Sequence, residues 1–223
     1  MTKELFAKAV IKFILGIVLV GVLVFVPAGT IHFFGGWLLM GTLFIPIFIA
    51  GIIMIINSPG LLEKRLNAKE KEAEQDLVVK LSGLMFLTGF VMAGLSYRFD
   101  WLMLPEKVSV AAAVVFLAAY IMYAEVMREN AYLSRTIEVQ ENQKVVDTGL
   151  YGIVRHPMYS ATLLLFLAMP LVLGSVISFV IFLAYPFIIA KRIRHEEQFL
   201  EKELDGYSEY KERVKYRLIP FVW

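Results

Sequence analysis

The chain has 223 residues, of which 59% are hydrophobic and 19% charged, with no cysteine and a formal net charge of +2. A soluble domain carries roughly 45–50% apolar residues, so lipid is part of the solvent here, and disulfides, thiolate metal sites and a cysteine nucleophile are excluded. The small net charge decides nothing; its placement along the chain does.

Apolar blocks at 9–26, 36–56, 77–97 and 108–127 each approach the ~20 helical residues that a bilayer core requires. Lys3, Lys8 and Lys12 precede or open the first block without a clean small-x-small cleavage signal after it, so an uncleaved first span is expected. Two shorter blocks, 159–173 and 176–190, are separated only by Gly174 and Ser175. They read as a tight helical hairpin that either spans with little to spare or dips into the bilayer. The expected fold class is all-α: a polytopic membrane helical bundle of five to six membrane segments, with a C-terminal helical hairpin and a cytoplasmic tail.

Lysine and arginine set the orientation. Lys64, Arg65, Lys69 and Lys71 follow the second block, Arg128, Arg135, Lys144 and Arg155 follow the fourth, and the tail from Lys191 onward is rich in both. The alternate connections hold only Arg98 and Lys107. The positive-inside rule then expects a multi-pass protein with both termini in the cytoplasm. The chain divides into N-terminal transmembrane helices over 1–127 and a C-terminal region over 128–223 that holds the hairpin and the tail.

Two connections on the basic side are long. Segment 57–76 opens with Ser58-Pro59-Gly60 and continues as a charged run expected to be helical; its charges balance, which suits a solvated or headgroup-lying helix rather than a nucleic-acid surface. Segment 128–157 mixes polar residues with strand-formers, Thr136, Ile137, Glu138 and Val139, then Lys144, Val145 and Val146. The tail reads as a helix through Leu204, a break at Gly206, a short helix and an extended RLIPFVW end.

The ionisable residues gather at one boundary. Tyr151, Arg155, His156, Pro157, Met158 and Tyr159 abut the hairpin's first helix. Each has an ordinary explanation: Pro157 at a helix start, Arg155 snorkelling to headgroups, the tyrosines as interfacial belt residues. At the exit of the second helix stand Lys191, Arg192, Arg194, His195, Glu196 and Glu197. Acidic residues contribute little to orientation, so Glu196 and Glu197 need another reason, and Arg192 and Glu196 form an i,i+4 pair. Because the hairpin turn is so short, its two ends lie side by side, and His156 and Tyr159 become neighbours of Arg192 and Glu196. This convergence makes a site. No H-E-x-x-H accompanies His195, and no metal site is expected.

GLYGIVRHPMY, an apolar hairpin, Arg192-x-x-x-Glu196-Glu197 and GYSEYKERVKYRLIPFVW together resemble the isoprenylcysteine carboxyl methyltransferase family and its relatives, the phospholipid methyltransferases. The resemblance covers roughly the last hundred residues, and SPGLLEKR upstream is similar to bacterial members of the superfamily. It implies an integral membrane enzyme that uses S-adenosyl-L-methionine. It further implies that Gln140, Gln143, Lys144, Val145 and Val146 line the adenosine end. Tyr151, His156, Pro157, Met158 and Tyr159 would wrap the ribose and methionine portions, Glu196 would hold a polar group of the cofactor, and Arg192 would face the substrate. The animal enzymes have a longer loop after Gln140, and a histidine where Gln143 stands.

The chemistry agrees with that implication. Aromatic faces such as Tyr151 and Tyr159 attract a sulfonium, and Glu196 can bind an ammonium or ribose hydroxyls by charge-assisted bonds. A carboxylate acceptor needs orientation, which Arg192 can give bidentately; an amine must first lose a proton, to His156 or, next, Glu197. The candidate catalytic residues are therefore Arg192, His156 and Glu197. No Gly-x-Gly-x-x-Gly or βαβ rhythm is present, which excludes a Rossmann cofactor site. The acceptor is expected to be a lipid or lipophilic small molecule at the bilayer, with no nucleic acid and no protein partner implied. Two alternatives stand beside this reading. One is an NADPH-dependent membrane reductase of the sterol-reductase type, whose C-terminal pattern is similar. The other is a transporter or scaffold, although its ligand sites would lie nearer mid-membrane.

Overall fold

The computed structural model describes residues 3–67, 73–130, 132–133 and 139–223; Lys69, Lys71, Arg135, Thr136, Ile137 and Glu138 lie outside the described residues. The protein is a polytopic helical bundle. Four long helices come first: α1 (Lys3–Ala28), α2 (Phe34–Asn57), α4 (Ala73–Phe99) and α5 (Glu106–Glu129), with the short α3 (Pro59–Asn67) between the second and the next. A one-turn 3-10 helix (Gly149–Gly152) precedes α6 (Pro157–Val172), α7 (Val176–Phe182), α8 (Tyr185–Glu203) and α9 (Tyr207–Arg213).

Five stretches are long and apolar enough to cross a membrane: Glu4–Ala28, Phe34–Asn57, Leu77–Phe99, Glu106–Glu129 and Val176–Glu203. Their outward faces carry large exposed apolar side chains, among them Ile11, Leu15, Val18, Leu19 and Val22 on α1 alone. Exposed apolar surface on that scale is a liability in water and the normal condition in lipid. The chain is a multi-pass integral membrane protein.

The hairpin crosses to the far side. The α6 helix has 16 residues, about 24 Å at 1.5 Å per residue. At its far end the Leu104 amide donates to the Gly174 carbonyl at 2.8 Å and the Val176 amide to the Leu102 carbonyl at 3.3 Å. The hairpin turn thus sits level with the α4–α5 loop, beside the start of α2, where a Cβ on Gly35 would come within 3.0 Å of the Leu173 and Val172 carbonyl oxygens. A shallow dip is excluded. The second arm is broken between α7 and α8 at Leu183–Ala184 because Pro186, in the first turn of α8, cannot continue the α7 hydrogen-bond ladder. Beyond the break α8 runs on into the tail, as expected for a helix through Leu204.

Close packing holds the bundle. Val24 of α1 and Gly94 of α4 touch so closely that a Cβ on Gly94 would lie 2.5 Å from the Val24 carbonyl oxygen. Phe182, fully buried, fills a notch over Gly89 and meets Phe86 edge-on, with centroids 5.3 Å apart. The aromatic quadrupoles favour that arrangement.

Two expectations fail. The stretch 143–147 forms no strand; it runs without regular structure, and no strand occurs among the described residues. The chain end is not extended either: 217–222 is a series of bends and turns folded back under the Arg155–His156 corner. The tail end finds its backbone partners within its own turns, where the Arg217 and Leu218 amides donate to the Trp223 carbonyl at 2.9 Å, and in the Arg155–His156 corner, so it needs no sheet.

Candidate active site

The corner before α6 is built from a strained glycine and a proline. Gly149 has φ +50, and a Cβ there would overlap the Glu129 carboxylate, which accepts from the Leu150 amide at 3.0 Å. Only glycine fits. Glu129, the last residue of α5, thereby anchors the 3-10 turn that carries Tyr151. Six residues after Tyr151, Pro157 opens α6, its missing N–H costing nothing at that position.

The tail docks onto this corner through its backbone. The Arg155 and His156 amides donate to the Tyr216 and Arg217 carbonyls, both at 2.9 Å, and the Ser160 hydroxyl donates to the Leu218 carbonyl at 2.6 Å. Beneath the junction lies Glu197, only 2% exposed. Its Oε1 accepts from Arg155 Nε at 2.7 Å and faces His156 Nε2 at 3.2 Å; its Oε2 accepts from Arg217 Nε at 2.8 Å. Arg155 also donates to the Val214 carbonyl at 2.6 Å. A buried carboxylate is tolerable only when paired and hydrogen-bonded in this way.

One helical step from Glu197, Glu196 faces the other way. Its Oε2 accepts from the Tyr159 hydroxyl at 2.5 Å, and the same hydroxyl accepts from Arg192 Nε at 2.9 Å. His156 Nδ1 stands 3.9 Å from Glu196 Oε1, and the His156 and Tyr159 rings stack with centroids 5.7 Å apart. The expected convergence of the two hairpin ends is therefore present atom by atom.

These groups line a cleft partly open to solvent. Its walls hold Arg155, His156, Met158, Tyr159, Arg192 and Glu196 together with Lys144, Val145, Val146, Tyr151, Leu200, Leu204, Tyr207 and Tyr210. Tyr151 is held by Asn130, whose amide donates to its hydroxyl at 2.9 Å, and by Tyr210, which donates to its carbonyl at 2.8 Å. Burial pushes the Tyr151 phenol up to about 12 and raises Tyr207 and Tyr210 as well. All three are neutral rings at physiological pH.

Of the expected site residues, the structure brings Gln143, Lys144, Val145, Val146, Tyr151, His156, Met158, Tyr159, Arg192 and Glu196 to the cleft wall. Three it does not. Gln140 closes a turn instead, its amide side chain donating to the Tyr132 carbonyl at 2.8 Å while its backbone N–H donates to Gln143 Oε1 at 2.8 Å. Pro157 is fully buried at the helix start. Glu197 faces the Arg155–Arg217 pair behind the wall. Arg155 does not snorkel, being buried against Glu197, and Tyr151 is buried rather than interfacial. Tyr207 and Tyr210 are additions. Their i,i+3 spacing directly after Gly206 puts both on one face of a short helix, a signal present in the sequence.

Comparison with known proteins bears on the region that holds this site. Residues 107–205 match the phospholipid methyltransferase family. That places the region within the membrane methyltransferases of isoprenylcysteine carboxyl and phospholipid type. The matched span runs from α5 through α8, so it holds both halves of the cleft's charged cluster, while α9 and Arg217 lie beyond it. The chain is also 33% identical over 91 residues to the Delta(14)-sterol reductase of Mus musculus, an alignment covering 40% of this chain and 22% of the reductase.

Proposed function

We propose that the protein is an S-adenosyl-L-methionine-dependent methyltransferase acting on a lipophilic acceptor at the cytoplasmic membrane boundary. The observation that carries the reading is the joining of Tyr159, Arg192 and Glu196 in the wall of a cleft that is otherwise largely aromatic and aliphatic. A ligand with a cationic amino-acid end and a flat base suits such a wall. The Tyr207 hydroxyl, buried in the cleft wall without a partner among the described residues, is a polar group that a ligand can satisfy.

When bound, the cofactor supplies an electrophilic methyl group on a positively charged sulfur. Glu196 holds its ammonium or ribose hydroxyls; Tyr151 and Tyr159 present neutral π-faces to positive charge without neutralising it. Gln143, Lys144, Val145 and Val146 flank the base end. Arg192 orients the acceptor, and Met158 gives that end an apolar wall. In this reading region 128–223 is the catalytic part, and the positive-inside rule supports a cytoplasmic position for it and for both termini.

The sterol-reductase similarity supports a second reading, in which the same cleft takes NADPH. Purified protein incubated with methyl-labelled S-adenosylmethionine and a membrane lipid extract separates the two. Label entering a lipid product supports the methyltransferase; oxidation of NADPH by the extract without label transfer supports the reductase.

A further inference from the structure

His156 is held by one partner and faces the cleft with the other ring atom. Its Nε2 lies 3.2 Å from Glu197 Oε1, and Glu197 also takes Arg155 and Arg217. A carboxylate bound by two guanidinium groups is ionised and can only accept, so Nε2 must carry the ring's proton. In the neutral ring Nδ1 then keeps its lone pair. Among the described residues no hydrogen bond reaches Nδ1, and Glu196 Oε1, in the cleft wall, stands 3.9 Å from it. His156 is not consumed in capping α6 either, since its side chain makes no cap hydrogen bond.

We propose that Glu197 is a positioning residue that fixes His156 as the Nε2–H tautomer, and that His156 Nδ1 is the proton acceptor of the cleft. This rests on the methyltransferase reading. The step balances as follows. The acceptor gives its N–H or O–H proton to His156 Nδ1, and its lone pair forms the new bond to the methyl carbon. The carbon–sulfur bond breaks with its electron pair left on sulfur. A sulfonium, a neutral acceptor and a neutral imidazole become a thioether, a methylated acceptor and an imidazolium. The imidazolium so formed lies between two carboxylates, Glu197 Oε1 at 3.2 Å from Nε2 and Glu196 Oε1 at 3.9 Å from Nδ1. The other charged or titratable groups around the ring are Arg155 from the corner, Tyr159 of α6, Arg192 of α8, Tyr207 of α9 and Arg217 of the tail. Glu197 itself touches no ligand, and an acceptor that arrives as a bare carboxylate has no use for Nδ1.

The test reads the ring directly. The chain has three histidines, so the full-length protein in detergent, labelled with ring-15N histidine, gives a spectrum assignable with a His156→Gln control. At neutral pH the wild type is expected to show His156 as Nε2–H with Nδ1 unprotonated, in tenfold excess or more, about the bias of one hydrogen bond to a charged group. Glu197→Gln should erode that excess, and Glu197→Asp should restore part of it. An Nδ1–H tautomer or an imidazolium in the wild type overturns the proposal without any variant having to fold. The methylated product supplies an independent arm: label that survives alkaline hydrolysis supports a proton-bearing acceptor, while label released as methanol from an ester overturns the proton-acceptor role. Failure to bind S-adenosylhomocysteine overturns the methyltransferase reading itself and leaves the tautomer result to stand or fall alone.

Discussion

The Tyr159 hydroxyl lies 2.5 Å from Glu196 Oε2 and serves as donor to it, while receiving Arg192 Nε at 2.9 Å. One phenol thus ties the carboxylate assigned to the cofactor to the guanidinium assigned to the acceptor. Tyr159→Phe keeps the ring stack on His156 and removes the tie. S-adenosylhomocysteine affinity is expected to fall about ten- to hundredfold, the worth of a hydrogen bond to a charged group, with melting temperature little changed. Calorimetric titration beside a thermal melt checks both halves.

Glu197 holds the corner to the tail. Glu197→Ala would leave Arg155 buried without its counter-ion, an arrangement that costs about 3–5 kcal/mol. Arg217→Ala leaves Glu197 still held by Arg155 and His156, so it should cost less, about 1–3 kcal/mol. Unfolding of the two variants in the same detergent gives the ranking; equal costs would mean that the tail contact, not the buried Arg155, sets the stability.

Gly149 and Glu129 compete for one volume, since a Cβ on Gly149 would sit 1.4 Å from the Glu129 carboxylate. Gly149→Ala should destabilise by about 1–3 kcal/mol, from the positive φ together with the clash. Adding Glu129→Ala relieves the clash but not the φ, so the double variant should recover part of the loss in a thermal melt. Strict additivity of the two losses would contradict this account.

The topology is open to direct labelling because the chain has no cysteine. Asp100, beside the hairpin turn's level, and Glu141, beside the cleft, are both exposed. With a membrane-impermeant maleimide on intact cells, Asp100→Cys should label at once and Glu141→Cys only after permeabilisation. The reverse order would invert the orientation.

The sequence carried the bundle and the meeting of the hairpin ends because both follow from span length and a two-residue turn. Depth was harder: 159–173 is short enough for either a crossing or a dip, and only the hydrogen bonds from 102–104 to the turn decide it. Arg155 looked like any basic residue at a helix end, since burying it requires Glu197, 42 positions away, as well as the Val214 carbonyl. Glu197 drew a chemical role for the same reason; adjacency to Glu196 says nothing about which of two neighbouring helical residues faces a cleft. Val145 and Val146 have strand-forming side chains, but they pack on a ligand-sized cleft rather than on another strand.

The most direct test of the central claim is equilibrium binding of S-adenosylhomocysteine to the purified full-length protein, measured alongside NADPH. Saturable binding of the former is expected for the wild type and for Arg192→Ala, with loss in Glu196→Ala and no binding of NADPH. Saturable NADPH binding with none of S-adenosylhomocysteine, or undiminished affinity in Glu196→Ala, would contradict it.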